Sequence, residues 1–381
     1  MTLGLFARYE KTLEGLDRKG RRRALATAGG LDFTSNDYLA LAASTRLKAA
    51  ITGAIARGVP VGSGGSRLLR GNHEEHEALE AEAATFFGAE RMLFFGSGYA
   101  ANAALFSTLP QRDDLIVHDA LIHASAHEGI AASKADSVAA AHNDIDAFAD
   151  AIGQWRRAGG TGRPWIAVES LYSMDGDRAP LADLLALAAQ HDGFLVIDEA
   201  HATGVFGPEG RGLAAELEDR ENVVMLHTCG KALGVSGALV GASAVLCDYI
   251  VNRARNFIYS TAPSPLIAAA VREALAALVD EPERRAAFDG LRSFANRALT
   301  EVLGIEGSGS QILPIPIGDN GRAVCIAARM RAEGYDVRAI RPPTVPEGTA
   351  RLRIAITLNA DRAAIVQMLQ QLKIAIAKER P

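Results

Sequence analysis

The sequence predicts an α/β fold in which a mostly parallel sheet is covered by helices, followed by a smaller C-terminal α+β domain. Between about residues 72 and 260, short runs rich in Val, Ile and Leu alternate with segments of helical periodicity. These runs are apolar throughout, which is typical of strands buried on both faces. After about residue 280 the order of elements changes, and a long helix is followed by strands that alternate with two further helices.

Within the large domain, the hydrophobic pattern predicts the elements in order. The strands are expected at residues 91–95, 115–118, 137–141, 165–169, 194–198, 223–227 and 238–242. The helices between them are expected at residues 75–87, 99–108, 144–157 and 181–191, with Asn72 as the N-cap of the first.

The sequence predicts that the chain is divided into three parts. Residues 1–45 are expected to form an N-terminal arm, residues 46–280 the large cofactor-binding domain, and residues 281–381 the small domain. The small domain is expected to contain strands at 311–317, 335–340 and 351–356, with helices at 282–303, 321–333 and 361–378.

Composition excludes several functional classes. Lysine and arginine number 40 against 45 aspartates and glutamates, and the net charge of −5 argues against a broadly basic nucleic-acid surface. No apolar run approaches the ~20 residues needed to cross a bilayer. The first residues lack a secretory signal, and the three cysteines, none in a CxxC pair, are expected to be free buried thiols. We therefore expect a cytoplasmic protein.

Residues that could bind a ligand or take part in catalysis follow five of the predicted strands. In open α/β sheets the ligand lies beyond the C-terminal ends of the strands. The strand ends offer a glycine turn at Gly96–Gly98, His123, Ser173, Asp198 with His201, and Thr228 with Lys231. Their shared position at one sheet edge is harder to attribute to chance than any one of them alone.

This set of residues suits pyridoxal phosphate. A lysine can hold the aldehyde of that cofactor as a Schiff base, and a buried carboxylate can keep its pyridine nitrogen protonated. An imidazole can cover the ring, and a glycine turn at a helix N-terminus can bind the phosphate. The sequence therefore predicts a pyridoxal-phosphate site and no metal centre.

Alternative interpretations exist for each residue. Taken alone, Lys231 is more often an exposed surface lysine, and Asp198 is about as often a structural cap. A nicotinamide-dependent oxidoreductase built on Gly96 and Gly98 is the main cofactor alternative, but it leaves Lys231 and Asp198 without a role. A non-enzymatic binding protein of the same fold leaves the whole lysine-centred set unexplained.

Motifs along nearly the whole chain resemble those of a known family. The chain is similar to the α-oxoamine synthases, which have the fold type I architecture of aspartate aminotransferase. The resemblance is carried by residues 33–39 (Phe-Thr-Ser-Asn-Asp-Tyr-Leu), 62–66 (Gly-Ser-Gly-Gly-Ser), 98–102 (Gly-Tyr-Ala-Ala-Asn), 123–125 (His-Ala-Ser), 173–177 (Ser-Met-Asp-Gly-Asp), 198–201 (Asp-Glu-Ala-His), 230–231 (Gly-Lys) and 351–353 (Arg-Leu-Arg).

The resemblance implies roles for individual residues toward pyridoxal 5′-phosphate. Lys231 would bind it covalently and later act as the base at the amino-acid Cα, while Asp198 would pair with the pyridine nitrogen. His201 would hydrogen-bond the phenolic oxygen, and His123 would stack on the ring and face the substrate. Further cofactor contacts are implied for Ser173, Thr228, Gly98 and Tyr99.

The resemblance also implies a substrate-binding set. Arg353 and Asn36 would hold the amino-acid carboxylate, for which the fork of an arginine is well suited. Thr344 would contact the substrate, and Arg21 would reach the acyl substrate, although the alignment of the arm leaves Arg21, Arg22 and Arg23 as alternatives.

Residues 339–353 favour one branch of this family. The segment most resembles the enzyme of biotin synthesis that condenses L-alanine with a pimeloyl thioester of coenzyme A or an acyl carrier protein. Sister enzymes that join glycine to acetyl- or succinyl-CoA, or serine to a long acyl-CoA, remain the alternative. Residues 258–261 resemble a segment that reaches the neighbouring subunit in this fold, so a homodimer is expected.

Overall fold

Residues 4–379, which the computed structural model describes, form 13 α-helices and 12 strands. The first three residues of the predicted arm and the last two of the predicted small domain lie outside this range. The chain divides into two units. The large unit comprises residues 39–173 and 177–286, and the small unit comprises residues up to 38, residues 174–176 and residues from 287 onward. The predicted three-part division stays a prediction.

The predicted helices and strands occur in the predicted order, and further elements lie between them. The helices are α1 (Ala7–Arg18), α2 (Thr45–Ala56), α3 (Glu74–Phe87), α4 (Gly98–Thr108), α5 (Ala124–Ala131), α6 (Ile145–Arg157), α7 (Leu181–Gln190), α8 (Ala244–Arg253), α9 (Arg255–Ile258), α10 (Pro265–Asp280), α11 (Pro282–Leu303), α12 (Asn320–Ala332) and α13 (Arg362–Lys378). The strands are β1 (Leu31–Asp32), β2 (Arg91–Phe95), β3 (Leu115–Asp119), β4 (Asp136–Ala140), β5 (Pro164–Glu169), β6 (Phe194–Asp198), β7 (Val223–Thr228), β8 (Ala238–Ala242), β9 (Ile312–Gly318), β10 (Tyr335–Asp336), β11 (Arg338–Ile340) and β12 (Ala350–Ala355).

The large unit is built on a seven-stranded sheet of order β2-β8-β7-β6-β5-β3-β4. All neighbouring pairs from β7 to β4 are parallel, and β8 is antiparallel to both β2 and β7. The prediction of a mostly parallel sheet is confirmed. The carboxyl ends of β2, β3, β5, β6 and β7 therefore share one edge.

The strands bury side chains on both of their faces. Ile116, Ala167 and Val196 belong to the core that packs with α4, α5 and α8. Their chain neighbours Val117 and Ile197 belong to the opposite core, which packs with α6 and α7. Because successive strand residues point to opposite faces, this double burial accounts for the continuous apolar runs in the sequence.

The start of β8 lies between the ends of two neighbouring strands. Ala238, its first residue, is the register partner of Phe95 at the end of β2 and of Thr228 at the end of β7. The loop after β7 is closed by two backbone hydrogen bonds of Cys229, one to the carbonyl of Gly237 and one from the N–H of Val235, both 2.9 Å.

The small unit contains an antiparallel sheet of order β11-β12-β9 and the short parallel pair β1-β10. Its core combines one face of these strands with α11, α12 and α13, through residues such as Leu313, Leu352, Ile326 and Leu369, all fully buried. In contrast, none of residues 7–18 in α1 is buried.

Three local predictions are wrong. The N-cap of α3 is His73 and not Asn72, because the His73 ring accepts the hydrogen bond from the Glu75 N–H. The strand predicted at 335–340 is two strands in different sheets, β10 pairing with β1 and β11 with β12. Cys325 is exposed on α12, whereas Cys229 and Cys247 are buried as expected.

No helix within residues 4–379 is long and apolar enough to cross a bilayer.

Candidate active site

Asp198 is the last residue of β6 and is 8% exposed. One carboxylate oxygen, Oδ1, accepts the N–H of Ala200 at 2.9 Å, and Oδ2 accepts the side-chain amide of Asn102 at 2.7 Å. A buried carboxylate is costly unless it is hydrogen-bonded and paired with a positive group. The two neutral donors fix the orientation of this carboxyl group at the end of β6.

Lys231 lies in the loop after β7, and its Nζ is 2.7 Å from Nε2 of His201. Two nitrogens at this distance require one to donate and the other to offer a lone pair. With the His201 proton on Nδ1, Nε2 can accept from the amine of Lys231. The pairing therefore holds the amine in one orientation at the sheet edge.

His123 connects the two groups electrostatically. It is the N-cap of α5, and its Nδ1 accepts from the Ser125 N–H at 3.3 Å. Burial lowers the pKa of His123, the charge of Asp198 opposes this shift, and the charge of Lys231 adds to it. Asp198 and Lys231 are therefore both close enough to His123 for their charges to act on one imidazole.

The glycine turn after β2 leads directly into α4. Ser97 is the N-cap, and its side chain accepts the N–H of Ala100 at 3.1 Å. The N–H groups of the first helical turn, which include those of Gly98 and Tyr99, have no intrahelical acceptor and form a natural anion site. A Cβ added to Gly98 would lie 3.6 Å from Oγ1 of Thr228, so the loops after β2 and β7 meet here.

The side chain of Tyr99 points elsewhere. It is 46% exposed, and its hydroxyl donates to the carboxylate of Glu128 on α5. The backbone of Tyr99, and not its ring, therefore remains the part suited to an anion.

Ser173 follows β5 and is buried, with its N–H donating to Oε2 of Glu169 at 3.1 Å. Glu169 ends β5 and is the register partner of Asp198 on β6. Burial, together with the negative charge of Asp198, raises the pKa of Glu169 to about 8. The carboxyl group next to Asp198 in the sheet therefore keeps its proton to a higher pH than an ordinary glutamate does.

The small unit carries a second group of polar side chains. Arg353 on β12 is 7% exposed and donates from Nη2 to Oδ1 of Asn36 at 3.0 Å. The hydroxyl of Tyr38 donates to the same oxygen at 3.0 Å. Complete burial raises the pKa of Tyr38, although the positive charge of Arg353 opposes the shift. Asn36 and Arg353 thus form one hydrogen-bonded unit, as a shared carboxylate site requires.

The three arginines of the N-terminal arm, Arg21, Arg22 and Arg23, each contact a different partner. Arg21 pairs with Glu347, and Arg22 bonds Asp17 at 2.6 Å. Arg23 donates to Oγ1 of Thr344 at 3.3 Å. The neighbour of Thr344 among these three arginines is therefore Arg23 and not Arg21.

The structure brings together two sets of the predicted residues. Within the large unit these are His123, Asp198, His201 and Lys231, with Gly98 beside Thr228 and Ser173 beside Glu169; within the small unit they are Asn36 with Arg353. Sequence reasoning missed Asn102 and Glu169 as partners of the site. Asn102 stands one helical turn after Gly98, on the same face of α4, and this spacing is the signal that points to it.

Comparison with known proteins gives a consistent result. The family model described as aminotransferase class I and II matches residues 28–370. The 8-amino-7-oxononanoate synthase of Anaeromyxobacter dehalogenans is 40% identical over 368 residues, covering 93% of this chain and 91% of that protein. The enzyme of the same name from Geobacter sulfurreducens is 40% identical over 369 residues, covering 92% and 93%.

Solved structures agree with this fold. A serine palmitoyltransferase from S. paucimobilis, solved with a PLP–myriocin adduct, is 25% identical with a TM-score of 0.88, covering 100% of this chain and 99% of that one. An 8-amino-7-oxononanoate synthase from Francisella tularensis is 29% identical with a TM-score of 0.76, covering 92% and 98%.

Proposed function

Since the chain belongs to the class I and II aminotransferase family and to the α-oxoamine synthases of biotin synthesis within it, we propose that its substrates are L-alanine and a pimeloyl thioester. The products would be 8-amino-7-oxononanoate, carbon dioxide and the free thiol. The enzyme depends on pyridoxal 5′-phosphate, the cofactor of its family.

The residues of the large unit fit this cofactor. Asp198 supplies a buried carboxylate for the protonated pyridine nitrogen, and Lys231 supplies the amine that binds the aldehyde. The first turn of α4 supplies N–H groups for the phosphate, with Thr228 beside Gly98. Ser173, His201 and His123 would complete the contacts. When bound, pyridoxal 5′-phosphate supplies an electron sink for the electron pair left at the amino-acid Cα and for the pair left when carbon dioxide departs.

Lys231 is proposed to act twice. In the resting enzyme its amine holds the cofactor, and once the substrate amine has replaced it, Nζ removes the Cα proton. The 2.7 Å contact with Nε2 of His201 orients Nζ for this transfer. This contact, next to the fixed carboxylate of Asp198, is the observation that carries the proposal.

The charges of His123 and Arg353 are consistent with this chemistry. Because its pKa is lowered, His123 is uncharged near neutral pH and can cover an aromatic ring or contact the substrate without adding a cation. Arg353, aligned by Asn36, is proposed to bind the carboxylate of alanine through a two-pronged hydrogen bond. Thr344 is proposed to contact the substrate, and one of Arg21, Arg22 and Arg23 to reach the acyl substrate.

A homodimer and a cytoplasmic location belong to the same proposal. The dimer is supported by the resemblance of residues 258–261 to a segment that reaches the partner subunit in this fold. The acyl carrier is proposed to be either coenzyme A or an acyl carrier protein, since both present a thioester on the same phosphopantetheine arm.

A substrate matrix tests the choice of substrates. Purified enzyme is assayed with alanine, glycine and serine, each against pimeloyl, acetyl, succinyl and palmitoyl thioesters, by thiol release and product mass. We expect alanine with the pimeloyl thioester to have the highest kcat/KM, by at least roughly tenfold. Pimeloyl groups on coenzyme A and on the carrier protein are compared in separate arms. A preference for glycine with a short acyl group, or serine with palmitoyl, would overturn the substrate assignment.

A further inference from the structure

A partly buried cluster of polar and charged groups, which none of the roles above uses, lies at the ends of β3 and β4. His142 follows β4, and its Nδ1 is 2.8 Å from Oδ1 of Asp119, the last residue of β3. Its Nε2 is 2.7 Å from Oδ2 of Asp177. Asp119 is fully buried, and the His142 side chain is 26% exposed. The imidazole therefore bridges two carboxylates from different parts of the chain.

The bridge requires a charged imidazole. An ionised carboxylate only accepts hydrogen bonds, so two such contacts need a proton on each ring nitrogen. Burial works to lower the pKa of His142, but the hydrogen bonds and charges of Asp119 and Asp177 outweigh it and raise the pKa. The titratable groups that face the ring are Asp119 from β3, and Asp177 and Tyr172 from the segment after β5. The Tyr172 ring meets it edge-on at 4.5 Å.

Asp177 closes the segment that carries Ser173. The N–H of Tyr172 donates to the carbonyl of Asp177 at 2.9 Å, and Leu171 pairs with Arg178 in an isolated antiparallel bridge. Residues 173–176 therefore form a short loop, and a backbone hydrogen bond joins the two residues that flank it, Tyr172 and Asp177. Ser173 is the first residue of this loop. Whatever fixes Asp177 also restricts where Ser173 can lie.

Asn143 reinforces the bridge from the same loop as His142. Its Nδ2 donates to Oδ2 of Asp177 at 2.8 Å, and its N–H donates to Oδ2 of Asp119 at 2.9 Å. It holds a left-handed backbone with φ of 54°, which an asparagine tolerates better than most residues. The two loops are thus joined by both backbone and side chains.

We infer that His142, as an imidazolium, is a positioning residue that fixes Ser173 for binding pyridoxal 5′-phosphate through its bridge from Asp119 to Asp177. His142 acts through Asp177 and does not itself touch the cofactor. The inference rests on the proposed role of Ser173 in cofactor binding, and it does not depend on the identity of the amino-acid or acyl substrate.

The test measures retention of the cofactor and not turnover. Cofactor loss on dialysis of the holoenzyme, and the Kd on re-addition of pyridoxal 5′-phosphate, are compared for wild type, His142→Gln, Ser173→Ala and the double variant. We expect His142→Gln to raise the Kd roughly tenfold, the scale of one lost charge-assisted hydrogen bond. In the Ser173→Ala background the same change should have little further effect. An equal loss in both backgrounds would overturn the positioning role.

Two further measurements keep the test decisive. If His142→Gln does not fold, Asp177→Asn removes the charge from the other end of the bridge and should give the same pattern with Ser173→Ala. The ratio of the Kd values of His142→Gln and wild type should fall as pH rises through the pKa of His142, because the wild type then loses the imidazolium. A constant ratio would overturn the charged bridge.

The control variant is His191→Gln, at the C-terminus of α7, for which we expect an unchanged Kd. If wild type itself failed to bind pyridoxal 5′-phosphate, the proposed function would fail. A wild type that binds it, with variants that show no loss, would refute only the role of His142.

Discussion

Nζ of Lys231 lies 2.7 Å from Nε2 of His201, and both Lys231 and Asp198 act electrostatically on His123. These relationships join residues that are 108 positions apart, from His123 to Lys231, into one site.

Lys231→Ala should abolish the covalent attachment of pyridoxal 5′-phosphate. Borohydride reduction of wild type should leave the cofactor on the peptide that contains Lys231, as peptide mass mapping can check. Turnover should fall by about 10²- to 10⁴-fold, the usual contribution of a general base. Lys134→Ala, at an exposed lysine, is the control and should keep both properties. Label on any other lysine would contradict the assignment.

Asp198→Asn should fold normally and lose most of its activity, because an amide cannot serve as the counter-charge of a protonated pyridine nitrogen. We expect kcat to fall roughly 10²- to 10³-fold, the scale of one lost electrostatic contact in a transition state. Asp183→Asn, an exposed carboxylate on α7, should leave kcat unchanged. A near-normal rate for Asp198→Asn would count against its role.

Arg353→Ala should mainly raise KM for the amino acid, because the carboxylate loses a two-pronged, charge-assisted partner. An increase of roughly 10- to 100-fold corresponds to one such hydrogen bond. Arg353→Lys should recover only part of it, since an ammonium cannot form the planar fork. Steady-state kinetics with each substrate varied in turn will decide. An effect confined to the thioester would mean that the substrate orientation is reversed.

Glu169→Gln should change how stability depends on pH. Because the pKa of Glu169 is raised in the folded state to about 8, the native protein holds a proton there that the unfolded chain releases above about 4.5. Glu169 therefore makes wild type lose stability as pH rises from about 4.5 to 8, by an amount on the order of a few kcal/mol. The Tm of Glu169→Gln minus the Tm of wild type should therefore increase as pH rises over this range. A Tm difference that does not change with pH would show that Glu169 is ionised in the folded protein over this whole range.

Glu199→Ala should destabilise the fold without removing the cofactor. Its buried carboxylate accepts the N–H groups of Leu213 and Ala214 at 3.1 and 2.6 Å and the hydroxyl of Ser170 at 2.9 Å. Leaving such donors buried costs about 1–3 kcal/mol each. Chemical denaturation should show the loss, with a smaller one for Glu199→Gln, which keeps an acceptor oxygen. Loss of cofactor from the folded variant would contradict a purely structural role.

The sequence predicts the large sheet and the strand-end residues because both depend on local signals. Apolar runs mark strands buried on two faces, and the residue after such a run must lie at the sheet edge, as Asp198 does. The contact between Asn102 and Asp198 is different, because it joins a helix to a strand 96 positions away. The spacing from Gly98 places Asn102 on the face of α4 nearest the glycine turn, but the local pattern does not specify that it will reach Asp198.

The local errors also have physical causes. Asn72 is a better N-cap by propensity than His73, but its side chain is engaged by Arg67 and Glu77, and the His73 ring takes the capping position. The strand at 335–340 divides because its two ends pair with different partners, and pairing across the fold is not encoded in the apolar pattern.

The position of Ala238 between Phe95 and Thr228 has a consequence for how such enzymes can diversify. The backbones at the ends of β2 and β7 are two inter-strand spacings apart, about 10 Å, and backbone hydrogen bonding to β8 sets this separation whatever the side chains of β8 are. Point mutation cannot readily widen or narrow that gap. A change in the preferred amino acid or acyl chain is therefore expected from residues outside the strand ends, whose separation the sheet holds constant.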